Sequence, residues 1–140
     1  MLQDSVFAIR EAVVDSMVKI SESPLDKAWL EEVFRAKVTE FSRHERFMIR
    51  IQTIHFVSTL KDCASKDMIN KCFAEALLRL AEDPVPNIRF NVSKNLEVLY
   101  PKLTPGNKIK AESALKKMTS DKDFDASFFA QQALATISRL

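Results

Sequence analysis

Glycine is nearly missing from this sequence, whose 140 residues contain a single one. Tight β-hairpins, phosphate-binding loops and other turns with a positive φ angle depend on glycine, so the chain has little material for any of them. Hydrophobic residues make up 46% of the chain, which is enough for a continuous core in one domain of this size. The composition therefore predicts a folded, all-helical protein.

Cysteine, net charge and long apolar runs are also scarce. The two cysteines, Cys63 and Cys72, form no C-x-x-C motif, which argues against a disulfide framework and favours a cytoplasmic location, with the nucleus also open. The net charge of +2 gives no field strong enough to predict binding to nucleic acid or to a membrane. No apolar run approaches the roughly 20 residues of a membrane span. We therefore expect any partner to be selected by shape and local chemistry.

Patterns of catalytic and metal-binding residues are absent as well. His44 and His55 have no carboxylate or cysteine at the spacing of a zinc site. No serine, cysteine or lysine stands in a recognisable nucleophile motif, although a triad assembled from distant residues is not visible in a sequence. We predict a protein that is not an enzyme and that carries no metal or cofactor.

An internal repeat organises the chain. Four segments align without gaps, namely DSVFAIR from Asp4, HERFMIR from His44, DPVPNIR from Asp83 and DKDFDAS from Asp121. Aspartate opens three of the four segments. Arginine fills the seventh position in three of them, as Arg10, Arg50 and Arg89. Such a period of about 40 residues is typical of a solenoid built from helical hairpins.

Apolar residues in steps of three and four flank each aligned segment and mark one face of a helix on either side. This spacing predicts an all-α solenoid in a single domain, 1–140, with a half repeat at 1–22 and repeats at 23–63, 64–102 and 103–140. The predicted helices are 5–21, 26–42, 46–62, 66–82, 86–100, 106–119 and 124–139. Because the chain starts inside a turn, we expect it to be a piece of a longer solenoid with an adhesive first face.

The aspartate that stands six residues before an arginine, at a period near 39 residues, resembles the HEAT repeat. Three stretches, DSVFAIREA (4–12), DPVPNIRFNVSKNL (83–96) and DFDASFFAQQAL (123–134), carry a more specific resemblance. They are similar, in the same order, to the C-terminal repeats of the scaffolding A subunits (the 65 kDa regulatory subunits) of protein phosphatase 2A.

The resemblance implies a scaffold that docks the catalytic subunit of the phosphatase along its row of intra-repeat turns. Regulatory B-type subunits would bind only through N-terminal repeats that this chain does not contain. The positions carried over to the surface for the catalytic subunit are Val6, Phe47, Arg50 and Val85, and repeat equivalence adds Phe124. Two departures from the family pattern are His44, in place of the opening aspartate, and Ser127, in place of the arginine.

Structural interpretations of the same residues stay open. The recurring charges predict a turn ladder in which each arginine bonds an aspartate or a turn carbonyl of a neighbouring repeat, with the members Asp4, Arg10, Asp83, Arg89 and Asp121. The apolar turn residues are also compatible with staples that fold back on the following helix. An alternative function is a generic HEAT adaptor that binds a peptide or helix on its concave face. Nucleic-acid binding is a third, which the near-neutral charge disfavours.

Overall fold

The computed structural model describes residues 27–140 and, upstream of them, Asp15, Ser16 and Lys19. The rest of the predicted half repeat at 1–22 lies outside the described residues. The candidates Asp4, Val6 and Arg10 lie there too.

The described part of the chain is helical and contains no β-strand. The six helices of residues 27–140 are α1 (Lys27–Ser42), α2 (Phe47–Leu60), α3 (Lys66–Met68, Ile69–Phe73 and Ala74–Leu80 in succession), α4 (Pro86–Leu99), α5 (Pro105–Met118) and α6 (Phe124–Ile137). The middle segment of α3 is a π-helix, and a short 3-10 segment, Tyr100–Lys102, follows α4. The predicted bounds of these six helices agree with the structure to within two residues.

The described prolines lie at helix starts or between helices. Pro86 and Pro105 stand in the first turns of α4 and α5, where the missing N–H would have no partner inside the helix. Pro84 lies in the turn before α4, and Pro101 lies in the 3-10 segment. These residues separate the helices without interrupting any of them.

The helices form three hairpins that stack in two layers. Each hairpin joins a first helix (α1, α3 or α5) to a second helix (α2, α4 or α6), and the two helices of each hairpin are in contact. Between hairpins, α3 packs against α1 and α5 in one layer, and α4 packs against α2 and α6 in the other. This is the arrangement of an α-solenoid, as the period predicts.

A continuous apolar core fills the space between the layers. In the first hairpin, Phe56 is fully buried and meets the rings of Phe34 and Phe41 edge-on, with centroids 6.2 Å and 6.0 Å apart. The apolar residues that recur in steps of three and four along the first helices are all buried, namely Phe34, Val38, Phe41, Phe73, Leu77, Leu80, Ala111, Leu115 and Met118. Cys72 also lies in this core, and burial raises the pKa of its thiol to about 11, so it packs as a small hydrophobic residue.

A set of polar bonds fixes the register between hairpins at the end of the stack opposite the intra-repeat turns. The Glu31 carboxylate accepts hydrogen bonds from the Ser65 backbone N–H at 2.9 Å and from its hydroxyl at 2.8 Å. One period later, Asn70 Oδ1 accepts from the Thr104 backbone N–H at 2.7 Å. Asn70 lies in the π-helical segment, and its backbone carbonyl accepts a further bond, at 2.9 Å, from Asn107 Nδ2. Each first helix therefore holds the start of the next one.

Candidate functional site

The turns inside the three hairpins share one local structure. The side chain of the first aligned residue accepts a hydrogen bond from the backbone N–H two residues later. Asp83 Oδ1 accepts from Val85 N and Asp121 Oδ1 accepts from Asp123 N, both at 2.9 Å. In the first described turn His44 Nδ1 takes this part and accepts from Arg46 N at 3.1 Å. The departure at His44 therefore keeps the turn bond although the residue type differs.

Arg50 joins the first two of these turns. Its Nε and Nη2 atoms donate to the two carboxylate oxygens of Asp83 at 2.6 Å and 3.0 Å. Its Nη1 atom donates to the His44 and Glu45 carbonyls of its own turn at 2.9 Å and 2.7 Å. The side chains of Arg50 and Asp83 are only 13% and 3% exposed. Charge-assisted, bidentate hydrogen bonds of this kind are stronger than neutral ones and fix geometry as well.

Arg89 repeats the same set of bonds one turn further along. Its Nε and Nη2 atoms donate to Asp121 at 2.7 Å and 2.8 Å, and its Nη1 atom donates to the Asp83 and Pro84 carbonyls at 2.8 Å and 3.1 Å. The hydrogen bond from Arg89 holds the pKa of the Asp121 carboxyl below its ordinary value, and the same bond raises the pKa of Arg89. Asp83 and Asp121 thus each serve two repeats at once.

The third turn is built differently at the position of the arginine. Ser127 occupies that position, and its hydroxyl donates to the Thr119 carbonyl at 2.6 Å. Asp123 caps α6 by accepting from the Ala126 backbone N–H at 2.9 Å. A short hydroxyl and a cap therefore close this turn without a guanidinium.

The predicted contact residues differ in how much of each is available to a partner. Phe47 and Phe124 are 45% and 80% exposed. Val85 is half-buried and packs against the core, which is the arrangement that the staple interpretation describes. Arg50 already uses four of the five donors of a guanidinium. Of the described residues predicted to make contact on the row of intra-repeat turns (the turn row), the two phenylalanines are therefore the most exposed.

Two further exposed apolar residues, which the sequence alone did not single out, lie next to these phenylalanines. Met48 follows Phe47 directly, and Phe128 lies one helical turn after Phe124; both are 43% exposed. The rings of Phe124 and Phe128 stack with centroids 6.2 Å apart. In the sequence, each of them stands one or four positions after a predicted contact residue. Apolar residues at such positions are also common in a core, so the sequence did not indicate that they are exposed. We call Phe47, Met48, Phe124 and Phe128 the turn-row anchors.

Acid should weaken the ladder through Asp121. Its pKa is lowered from 3.8 by the bond from Arg89, so its contribution to stability is present above the unfolded-state pKa and is lost as the pH falls through the lower, folded-state value. We expect thermal melts between about pH 2 and pH 6 to show a midpoint that falls below about pH 4. The Asp121→Asn variant should lose part of that slope, and equal slopes for both chains would contradict the assignment.

Other kinds of site are not seen in the described residues. Within residues 27–140 and the three described upstream, no group of histidines, cysteines and carboxylates is placed to hold a metal ion. Across the same residues, no helix is both long enough and apolar enough to span a membrane.

The chain has sequence relatives among phosphatase regulatory subunits. It is 36% identical over 75 residues to the regulatory A subunit of protein phosphatase PP2A from Schizosaccharomyces pombe, covering 54% of this chain and 13% of the relative. It is 28% identical over 122 residues to the protein of the same name from Saccharomyces cerevisiae, covering 80% of this chain and 19% of that protein.

A third relative comes from Drosophila melanogaster. The "Serine/threonine-protein phosphatase PP2A 65 kDa regulatory subunit" is 42% identical over 60 residues, which are 42% of this chain and 10% of the relative. No family model matches the chain. The chain therefore spans between a tenth and a fifth of the length of these relatives. Their names describe regulatory and not catalytic subunits, in agreement with the predicted absence of enzymatic activity.

Proposed function

We propose that this chain, which is similar to the regulatory A subunits of protein phosphatase 2A, is a scaffold segment that docks a phosphatase catalytic subunit through its row of intra-repeat turns. The observation that carries the proposal is the aromatic surface at the turns, where Phe47 and Phe124 expose 45% and 80% of their area. Aromatic residues, phenylalanine among them, are enriched in the cores of protein interfaces.

The ladder explains why the turns suit such a role. Arg50 and Arg89 tie each turn to the next through paired bonds of 2.6 to 3.0 Å to Asp83 and Asp121. A rigid row of turns needs little ordering when a partner binds, so less of the contact energy is offset by lost entropy. In this proposal the arginines and aspartates position the turns, and the anchors make the contact.

Binding to the purified catalytic subunit of protein phosphatase 2A tests the proposal. We expect Phe47→Ala and Phe124→Ala each to weaken the complex by about tenfold or more, because truncating an interface anchor costs about 1–2 kcal/mol or more. Surface-plasmon resonance with the 140-residue chain immobilised gives the dissociation constants. The chain alone should hydrolyse no phosphoester substrate above the buffer rate.

The matched control is Ile109→Ala, which truncates an apolar side chain that is 70% exposed in α5, near the opposite end of the hairpin. This variant should bind like the parent chain. Full affinity in both phenylalanine variants would overturn the role of the turn row. Absence of binding by the parent chain would overturn the docking function itself. Arg50→Glu is a poor probe, because it also removes the bonds to Asp83.

A further inference from the structure

A second surface of the molecule lies beside the turn row, between α2 and α4. A groove of about 390 Å³ runs there, with Phe47, Met48 and Ile51 on the α2 side and Asn87, Asn91 and Asn95 on the α4 side. The three asparagines are exposed or half-buried. The described lining on the α2 side also includes Ile54 and the polar residues Gln52, His55 and Ser58. The groove therefore has one wall that mixes apolar and polar side chains and one wall of amides.

The asparagines are spaced like the backbone of an extended peptide. They occur at every fourth residue of α4, so they rise by about 6 Å from one to the next along the helix. Two residues of an extended chain advance by about 6.6 Å, and the backbone groups of alternate residues point to the same side. A peptide lying along α4 can therefore present one N–H or C=O to each asparagine in turn.

The amide groups have hydrogen-bonding capacity left for such a ligand. Asn91 Nδ2 donates to the carbonyl and to Oδ1 of Asn87, both at 2.8 Å, and Asn95 Nδ2 donates to the Asn91 carbonyl at 3.0 Å. These bonds orient the side chains along the helix. Within residues 27–140, the Oδ1 atoms of Asn91 and Asn95 accept no hydrogen bond from any described residue, so two acceptors remain for N–H groups of a ligand.

The lack of charged side chains limits the kind of ligand that the groove can bind. Among its described lining residues, none is an aspartate, glutamate, lysine or arginine, and His55 is the one side chain with an ionisable ring. A charged ligand group would lose its hydration there without gaining an ionic partner, which is unfavourable. An uncharged peptide backbone, in contrast, matches amide side chains in both donors and acceptors.

We propose that the groove between α2 and α4 binds an extended, uncharged peptide segment of about four residues, with its N–H groups on the Asn91 and Asn95 acceptors and its alternate apolar side chains on Phe47, Met48 and Ile51. Four extended residues match the span of about 12 Å from Asn87 to Asn95. Phe47 and Met48 are also turn-row anchors, but the inference does not rest on the proposed docking of a phosphatase, because the hydrogen bonds that define the peptide site come from the asparagines of α4.

The test uses the ¹⁵N-labelled 140-residue chain and the blocked peptide acetyl-SVSLSVS-amide, which is neutral and alternates polar with apolar residues. We expect saturable shifts of the side-chain amide signals of Asn87, Asn91 and Asn95 in ¹H–¹⁵N spectra. Two N-methylated peptides test which backbone edge makes the hydrogen bonds. One carries the methyl groups on the backbone nitrogens of the serines, and the other carries them on those of the apolar residues. Only one of them should lose binding, because alternate N–H groups face opposite sides.

Variants of the chain provide a second test of the peptide site. The Asn91→Leu/Asn95→Leu double variant should bind the peptide at least about tenfold more weakly, which corresponds to about 1.4 kcal/mol. Val98→Ala truncates a residue of the same helix that is 52% exposed and should bind like the parent. Three results would each overturn the proposal: no saturable shift up to about 5 mM peptide, equal affinity in the double variant, or equal affinity of both methylated peptides. The methylated peptides are tested on the parent chain, so they still test the proposed binding mode if the double variant fails to fold.

Discussion

Asp83→Ala is expected to destabilise the chain by about 3 kcal/mol or more, one of the two largest effects we predict. The substitution removes both bonds from Arg50 and the turn bond from the Val85 backbone N–H. It also leaves the Arg50 guanidinium, 13% exposed, without its carboxylate. Breaking a buried pair on one side is costly because the remaining charge loses its counter-ion where water reaches it poorly, and the two turn carbonyls that Arg50 still bonds do not replace a carboxylate. The melting temperature should fall by about 10 °C.

Thermal and urea unfolding followed by circular dichroism measure this effect. Glu82→Ala is the matched control, because Glu82 is the neighbouring acid and its 2.7 Å pair with Lys117 is exposed on both sides, so its removal should leave the melting temperature nearly unchanged. The double variant Arg50→Met/Asp83→Leu should recover part of the lost stability, since no charge is then left buried. A melting temperature of Asp83→Ala close to that of the parent would show that the pair contributes little.

Phe56→Ala should have a comparably large effect, about 3–5 kcal/mol. The ring is fully buried and touches Phe34 and Phe41 edge-on. Its truncation opens a cavity between α1 and α2, and the loss of two aromatic contacts adds to the loss of buried area. Because the two flanking rings belong to α1, we expect the first hairpin to lose protection before the other two.

Hydrogen exchange resolved along the chain is the measurement for this variant, together with the urea midpoint. Phe56→Leu keeps most of the volume and should lose clearly less stability. Phe128→Ala provides the exposed comparison, since that ring is 43% exposed and should contribute much less to folding. Equal losses for Phe56→Ala and Phe128→Ala would mean that the core of the first hairpin is not where the structure places it.

The period and the helix bounds could be predicted from the sequence because their causes are local. Apolar residues in steps of three and four, together with Pro86 and Pro105 at helix starts, fix each helix within its own 15 residues or so. The exposure of Val85 could not be predicted in this way. Whether that side chain faces a partner or the core depends on how closely α4 approaches its neighbours.

The groove between α2 and α4 and the polar bonds at the far end of the stack were not predicted, because they form between repeats and carry no recurring charge pattern like the one that indicated the ladder. The stripe of Asn87, Asn91 and Asn95 is visible in the sequence, but amides on a helix surface are ordinary until α2 supplies an opposite wall. The bond from Thr104 to Asn70 likewise joins residues that are 34 positions apart. The most exposed anchor, Phe124, was predicted by repeat equivalence alone, because its copy of the turn carries Ser127 in place of the arginine.

The shared aspartates couple the folding of neighbouring repeats. Asp83 closes the turn of its own hairpin while it accepts from Arg50 of the preceding one, and Arg89 in turn binds the Asp83 carbonyl and Asp121. When one hairpin opens, a buried group of the next hairpin loses its hydrogen-bond partner. The free energy of opening one hairpin therefore includes a destabilisation of its neighbour. In a linear stack, such interface energies decide how far the chain melts as one cooperative unit. The ladder thus gives the described stack of hairpins a way to resist fraying one hairpin at a time.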